Sequence, residues 1–158
     1  MATPASMHND NLPHVVLVGR ANVGKSTLFN KLIEEKKALV STIAGTTRTN
    51  NEGDVLWRGN YFHVIDTGGQ DTEINENFAD EIISQAESAI KKADVIVLVT
   101  DAKIGPLPQD KELARKLQKQ AKKQGASLLL VANKVDNSKT RKNLENPDWL
   151  KLAMGAPI

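Results

Sequence analysis

The sequence predicts a three-layer α/β fold, with helices on both faces of a mostly parallel sheet that carries one antiparallel edge strand. Three observations lead there. Short apolar, β-branched runs alternate with longer segments of helical spacing, the pattern of strand–helix–strand units. Val95-Ile96-Val97-Leu98-Val99 and Leu128-Leu129-Leu130-Val131 are apolar without alternation, as strands covered on both faces must be. A glycine-rich turn joins the first apolar run to the first helical segment.

The elements follow in order. His14-Val15-Val16-Leu17-Val18 reads as a buried strand, 14–18. A helix is expected over 25–36, where Leu28, Phe29, Leu32 and Ile33 recur at helical spacing. Strands are expected near 54–58 and 61–66, the latter containing Tyr61-Phe62-His63-Val64-Ile65. A helix near 78–92 would place Phe78, Ile82, Ala86, Ala89 and Ile90 on one side. Glu76, Asp80 and Glu81 sit near its start and Lys91 and Lys92 near its end, which suits the helix dipole. A strand at 95–101, a helix at 109–124 and a strand at 127–133 complete the series, with Pro106 and Pro108 bracketing the loop before that helix. Lys111, Arg115, Lys119 and Lys122 or Lys123 form a basic stripe on it. Such a stripe suits an RNA contact, but a solvated helix face is the commoner meaning and is favoured here.

Composition bounds the rest. A chain of 158 residues suits one domain with a sheet-based core. Residues 1–12 are polar and expected to be a disordered tail, with the domain over 13–158. A net charge of +2 does not demand nucleic acid. The absence of cysteine excludes disulfides and thiol catalysis. The three histidines are scattered, so no zinc site is expected. No apolar run approaches the length of a membrane span and no signal-like segment opens the chain. No membrane partner and a cytoplasmic location are therefore expected.

The chemistry begins at the glycine-rich turn. Gly19-Arg20-Ala21-Asn22-Val23-Gly24-Lys25-Ser26 has the form GxxxxGK(S/T), between a strand and a helix as that motif requires. The glycines let backbone N–H groups curl towards phosphates, and the helix N-terminus adds positive potential. Lys25 would neutralise the β- and γ-phosphates, and the Ser26 hydroxyl would ligate Mg2+. Gly19, Asn22, Val23, Gly24, Lys25, Ser26 and Thr27 form the expected phosphate-binding set. The fold is thus expected to be a P-loop NTPase.

A second motif chooses the base. Asn133-Lys134-Val135-Asp136, of the form NKxD, stands at the end of the apolar run Ser127–Ala132. Ligand sites of open α/β sheets lie at such strand ends. The Asp136 carboxylate can accept from guanine's ring N–H and its exocyclic amine. Adenine lacks that amine and would leave the carboxylate unpaired, a mismatch that can discriminate by on the order of 10⁴-fold or more. The Lys134 stem can lie over the base, and Asn133 can tie this loop to the phosphate loop. Alone, the tetrapeptide also fits a plain polar turn; paired with the phosphate loop, it makes GTP and GDP the expected ligands and a small-GTPase-like fold the expected architecture.

Two segments between these motifs have the form of nucleotide-dependent switches. Asp66-Thr67-Gly68-Gly69 follows a strand; Asp66 suits a carboxylate holding magnesium through water, and the Gly69 N–H would meet the γ-phosphate. Ala44-Gly45-Thr46-Thr47-Arg48-Thr49 offers a magnesium ligand, with Thr47 favoured over Thr46. GTP would order both segments and GDP release them. Gln70 stands directly after the second glycine, where Ras-like GTPases place a glutamine that orients the attacking water. The expected catalytic set is Lys25, Thr47, Gln70 and Asn22, and the expected metal ligands are Ser26, Thr47 and Asp66.

With these motifs in hand, the chain resembles the first GTPase domain of the Der (EngA) family of bacterial ribosome-assembly GTPases. The resemblance rests on Gly19 to Leu32, Gly45-Thr46-Thr47-Arg48, Trp57-Arg58-Gly59 with Phe62 leading into Asp66 to Gly69, Asn133 to Asp136, and the late run Leu152 to Ile158. Era and MnmE share several of these motifs, but the spacing from Trp57 to Gly69 favours Der. The chain departs from the family pattern at Ala21, where proline is usual, at Thr49, where aspartate is usual, and at Gln70, where an apolar residue is usual. The resemblance implies hydrolysis helped by K+, held partly by Asn22, so potassium and Gln70 stay open as alternatives. It also implies a role in large ribosomal subunit assembly, with the ribosome or ribosomal RNA as partner and a second GTPase domain and an RNA-binding domain beyond this chain. Family members continue past the Gly155-Ala156-Pro157-Ile158 run into a strand, a Ser-Ala loop that backs the guanine, and a helix. On that comparison the domain is expected to be C-terminally incomplete, with the 127–132 strand left as an apolar edge, weaker GDP binding and a tendency to self-associate. Two further readings stand beside a GTP hydrolase: a truncated guanine-nucleotide-binding module with little or no turnover, and an ATPase, which Asp136 argues against.

Overall fold

The computed structural model describes residues 11–35, 51–68 and 77–152. Five strands form one sheet in the order β2-β3-β1-β4-β5: β1 His14–Val18, β2 Glu52–Trp57, β3 Asn60–Asp66, β4 Val95–Asp101 and β5 Ser127–Asn133. β1 pairs in parallel with β3 and β4, and β4 in parallel with β5. β2 and β3 are antiparallel, because only Arg58 and Gly59 separate them, with φ of 48° and 79°. Positive φ at both central residues makes this a tight turn whose twist matches the strands it joins.

The helices are α1 Lys25–Glu35, α2 Phe78–Gln85, α3 Glu87–Lys92, α4 Pro108–Gln124 and α5 Ser138–Asn143, followed by a 3-10 helix, Pro147–Leu152. Strand alternation splits the core in two. Leu17, Val64, Val97 and Val99 face α1 and pack with Phe29 and Ile33. Val16, Val18, Ile96 and Leu98 face the other way, onto Ile82 and Ile90, Leu113 and Leu117 of α4, and Trp149. α4 starts with Pro108 at its first turn and ends at Gly125 with φ 74°, the usual asymmetry of helix ends.

The single helix expected over 78–92 is two. Ala86, with φ −104° and ψ 8°, separates α2 from α3. Its N–H is shared between the Ile82 and Ile83 carbonyls at 3.2 Å each. The break has a packing reason: α2 lies on α4, whereas α3 must return the chain to β1, where the Asp94 N–H bonds the His14 carbonyl at 2.9 Å. The second strand begins at Glu52 rather than 54 and ends before Arg58, which belongs to the turn. α5 and the 3-10 helix were not foreseen. Asn137 caps α5, its Oδ1 accepting from the Thr140 N–H at 2.8 Å, and the buried Trp149 indole donates to the Asn143 carbonyl at 3.0 Å. Leu152 closes the 3-10 helix inside the core; the rest of the run expected to lead into a last strand, 153–158, lies outside the described residues, as does the expected tail apart from Asn11 and Leu12.

Candidate functional site

All four parallel strands end on one rim of the sheet, at Val18, Asp66, Asp101 and Asn133, and every described candidate residue gathers there. The phosphate loop leaves β1 and turns on two left-handed residues, Asn22 at φ 65° and Gly24 at φ 94°. Asn tolerates that region and Gly is free in it. Space also restricts Gly24: a Cβ there would come within 2.2 Å of the Asn133 Nδ2. Val23, 1% exposed, anchors the loop to the α1 side of the core.

Lys25 opens α1 but folds back over the loop. Its Nζ donates to the Gly19 carbonyl at 2.9 Å and to the Arg20 carbonyl at 2.6 Å. Burial pushes the ammonium below its ordinary pKa; the Asp66 carboxylate opposes that shift and Arg20 adds to it. Ser26 Oγ donates to Asp66 Oδ2 at 2.9 Å, and the Gly68 N–H to Asp66 Oδ1 at 3.0 Å. The Thr67 hydroxyl ties the same turn to the Leu17 carbonyl at 2.7 Å. Ser26 and Asp66 thus put hydroxyl and carboxylate oxygens side by side next to the phosphate loop, a donor set that fits a hard cation such as Mg2+. Among the described residues no cluster of three or more His, Cys, Asp or Glu could hold a metal unaided. Thr27 is exposed on the first turn of α1. Thr47, Gly69 and Gln70 lie outside the described residues.

The end of β5 is joined to the phosphate loop by side chains. Asn133 Nδ2 donates to the Val23 carbonyl at 3.0 Å. Lys134, itself at φ 66°, donates from Nζ to the Asn22 carbonyl at 2.6 Å and to Asp101 Oδ2 at 3.0 Å. Asp101 also accepts from the Lys103 N–H at 2.8 Å. Burial would raise the Asp101 carboxyl, but the Lys134 ammonium and the Lys103 and Ile104 N–H groups outweigh it and hold the group below its ordinary pKa. Asp136 stands clear of this bracket, 62% exposed, with the Lys103 ammonium 2.7 Å from its Oδ2.

Three supports were missed in the sequence. Asp101 was legible: like Asp66, it is an acid at the C-terminal end of a buried strand. Arg20 and Asp110 were not, being 90 positions apart. Arg20 Nε meets Asp110 Oδ1 at 2.8 Å and its second nitrogen meets Oδ2 at 3.3 Å, with the Asp110 side chain fully buried. The pair fastens the phosphate loop to the first turn of α4, where Asp110 also accepts from the Leu107 N–H at 2.9 Å.

The family described as "50S ribosome-binding GTPase" matches residues 14–134. The GTPase Der of Flavobacterium johnsoniae is 45% identical over 135 residues, covering 85% of this chain and 30% of that protein. The GTPase Der of Lactobacillus delbrueckii subsp. bulgaricus is 43% identical over 150 residues, covering 93% of this chain and 32% of that protein. The chain therefore spans about a third of the length of these relatives. Among solved structures, Era in complex with MgGDPNP and nucleotides 1506–1542 of 16S ribosomal RNA superposes with a TM-score of 0.63 at 28% identity, over 93% of this chain and 49% of that one.

Proposed function

We propose that this chain, which belongs to the 50S ribosome-binding GTPase family, binds GTP and GDP at the sheet rim and hydrolyses GTP to GDP and phosphate. One observation carries the reading: the Asn133 side chain bonds the phosphate loop at Val23, so the base-reading and phosphate-reading segments form one cleft. A nucleotide spans such a cleft with its phosphates on the N–H groups of the loop and its base at Asp136.

Within the cleft each residue has a task. The Lys25 ammonium, which lies over the loop against the Gly19 and Arg20 carbonyls, would meet phosphate oxygens. Ser26 and Asp66 would hold Mg2+, with Thr47 as a further ligand; the ion, when bound, neutralises charge on the β- and γ-phosphates. The Gly69 N–H meets the γ-phosphate. Water attacks the γ-phosphorus in line with the departing GDP oxygen, and Gln70 would orient it; in the alternative, Asn22 would help to hold K+, which would supply further positive charge at the phosphates. In the cell we assign the chain to large ribosomal subunit assembly, in the cytoplasm, with ribosomal RNA as the partner class. The family description, 50S ribosome-binding GTPase, supports the large-subunit assignment, and the RNA-bound Era structure supports ribosomal RNA as the partner class.

Base selection gives the sharpest test. Asp136→Asn replaces an acceptor by a donor where guanine presents its amine. Competition against a fluorescent GDP should show a loss of about a hundredfold or more for GTP, with a gain for xanthosine triphosphate, whose carbonyl accepts the new N–H. Unchanged GTP affinity in this variant would remove Asp136 from the base site and the guanine reading with it.

A further inference from the structure

The turn after β4 brings a cation to the residue assigned to the base, and the sheet register explains how. Asp101 and Asn133 are paired across β4 and β5, and the Ala102 N–H bonds the Asn133 carbonyl at 2.9 Å. Beyond that point the segments after β4 and β5 both turn around Asp101. Its Oδ1 takes the Lys103 N–H, its Oδ2 takes the Lys134 ammonium, and its carbonyl takes the Gly105 N–H at 2.9 Å. One carboxylate thus fixes the backbone of Lys103 and the side chain of Lys134 together. The Lys103 ammonium then lies 2.7 Å from Asp136 Oδ2. Asp136 in turn raises the Lys103 pKa, first through that hydrogen bond and then through its charge.

We propose that Lys103 sets guanine-nucleotide affinity by occupying the Asp136 carboxylate in the nucleotide-free protein, so that guanine binds only by displacing it. The inference rests on Asp136 being the base reader. Guanine's paired N–H groups need both carboxylate oxygens, and the ammonium holds one of them. Both partners are more than half exposed, at 52% for Lys103 and 62% for Asp136, so the pair is weak enough to open; a buried pair would be a fixed block. The sign of the effect separates this role from general electrostatics. Removing a cation near a polyanionic ligand ordinarily weakens binding; here it should strengthen it.

The test is GDP binding to Lys103→Met, made alone and on an Asp136→Ala background, at low and high sodium chloride. Lys103→Met should bind GDP about two- to fivefold more tightly than the parent at low salt, the range of an exposed ion pair. High salt should shrink the gain, because it already weakens the pair in the parent. Lys103→Arg, which restores the pair, should return to the parent affinity. On Asp136→Ala, itself weakened, the Lys103 change should do nothing. Equal or weaker GDP binding by Lys103→Met would overturn the proposal, as would an equal gain on Asp136→Ala. If Asp136→Ala bound GDP as tightly as the parent, the base-reader assignment would fail first; a failure confined to Lys103 would leave that assignment standing.

Discussion

At Lys25 burial and the Asp66 carboxylate pull the pKa in opposite directions. It is 6% exposed, and its ammonium donates to the Gly19 and Arg20 carbonyls. Its pKa lies below the ordinary 10.5, through burial first. The unfolded chain therefore holds this proton more tightly than the folded one. Below the lowered value Lys25 is charged in both states, and burying it costs stability. That cost is relieved as pH rises through the window between the lowered value and 10.5. Nucleotide binding has the opposite sign, because phosphate favours the charged form. GDP affinity should be level at pH below the lowered value and fall as alkali removes the proton. Within the window binding should take up protons, readable by calorimetry in buffers of different ionisation enthalpy. Lys25→Met should lose roughly tenfold or more in GDP affinity and all of that proton uptake. Uptake unchanged in Lys25→Met would assign the titration to another group.

The Arg20–Asp110 pair shows how one element supports another. Asp110 is fully buried on the first turn of α4, and its carboxylate serves both Arg20 and the Leu107 N–H. Removing one partner of a buried pair leaves the other charge without compensation. Asp110→Ala should therefore cost about 3–5 kcal/mol of unfolding free energy, measured by urea denaturation, and should also weaken GDP binding because Arg20 belongs to the phosphate loop. The double variant Arg20→Met with Asp110→Leu should recover most of the stability, since an apolar pair of similar volume carries no desolvation cost. A loss below about 1 kcal/mol in Asp110→Ala would show the pair to be dispensable. This pair also marks where reading by sequence ends. Strands with continuous apolar runs and the glycine-rich turn were legible because their signals are local. Arg20 and Asp110 carry no local signal, since their meeting depends on how α4 docks. The break at Ala86 was hidden for a related reason: the apolar spacing from Phe78 to Ile90 continues through it, and only the need to reach β1 bends the chain. Trp149 lies in a short segment, Asn146 to Leu152, too brief to show a clear apolar period, and it became a core residue only through the turn set by α5.

At the scale of the whole molecule the sheet presents its four parallel strand ends on one rim, and the acids and amides there are the groups proposed to hold a nucleotide. The described residues contain no helix long and apolar enough to cross a membrane. An isolated domain of this kind should turn over slowly, on the order of 10⁻⁴ to 10⁻² per second. If Asn22 helps to hold potassium, turnover at equal ionic strength should be faster in potassium than in sodium, and Asn22→Ala should abolish the difference. Equal rates in both salts, with a large loss in Gln70→Ala, would credit Gln70 instead. If one cleft both reads guanine and cleaves the γ-phosphate, single-turnover hydrolysis with protein in excess over γ-labelled nucleotide will show it. The expected result is release of labelled phosphate from GTP in magnesium, none above background from ATP, and loss of the GTP signal in Lys25→Met. Equal release from ATP and GTP, or GDP binding without any phosphate release from GTP, would contradict it.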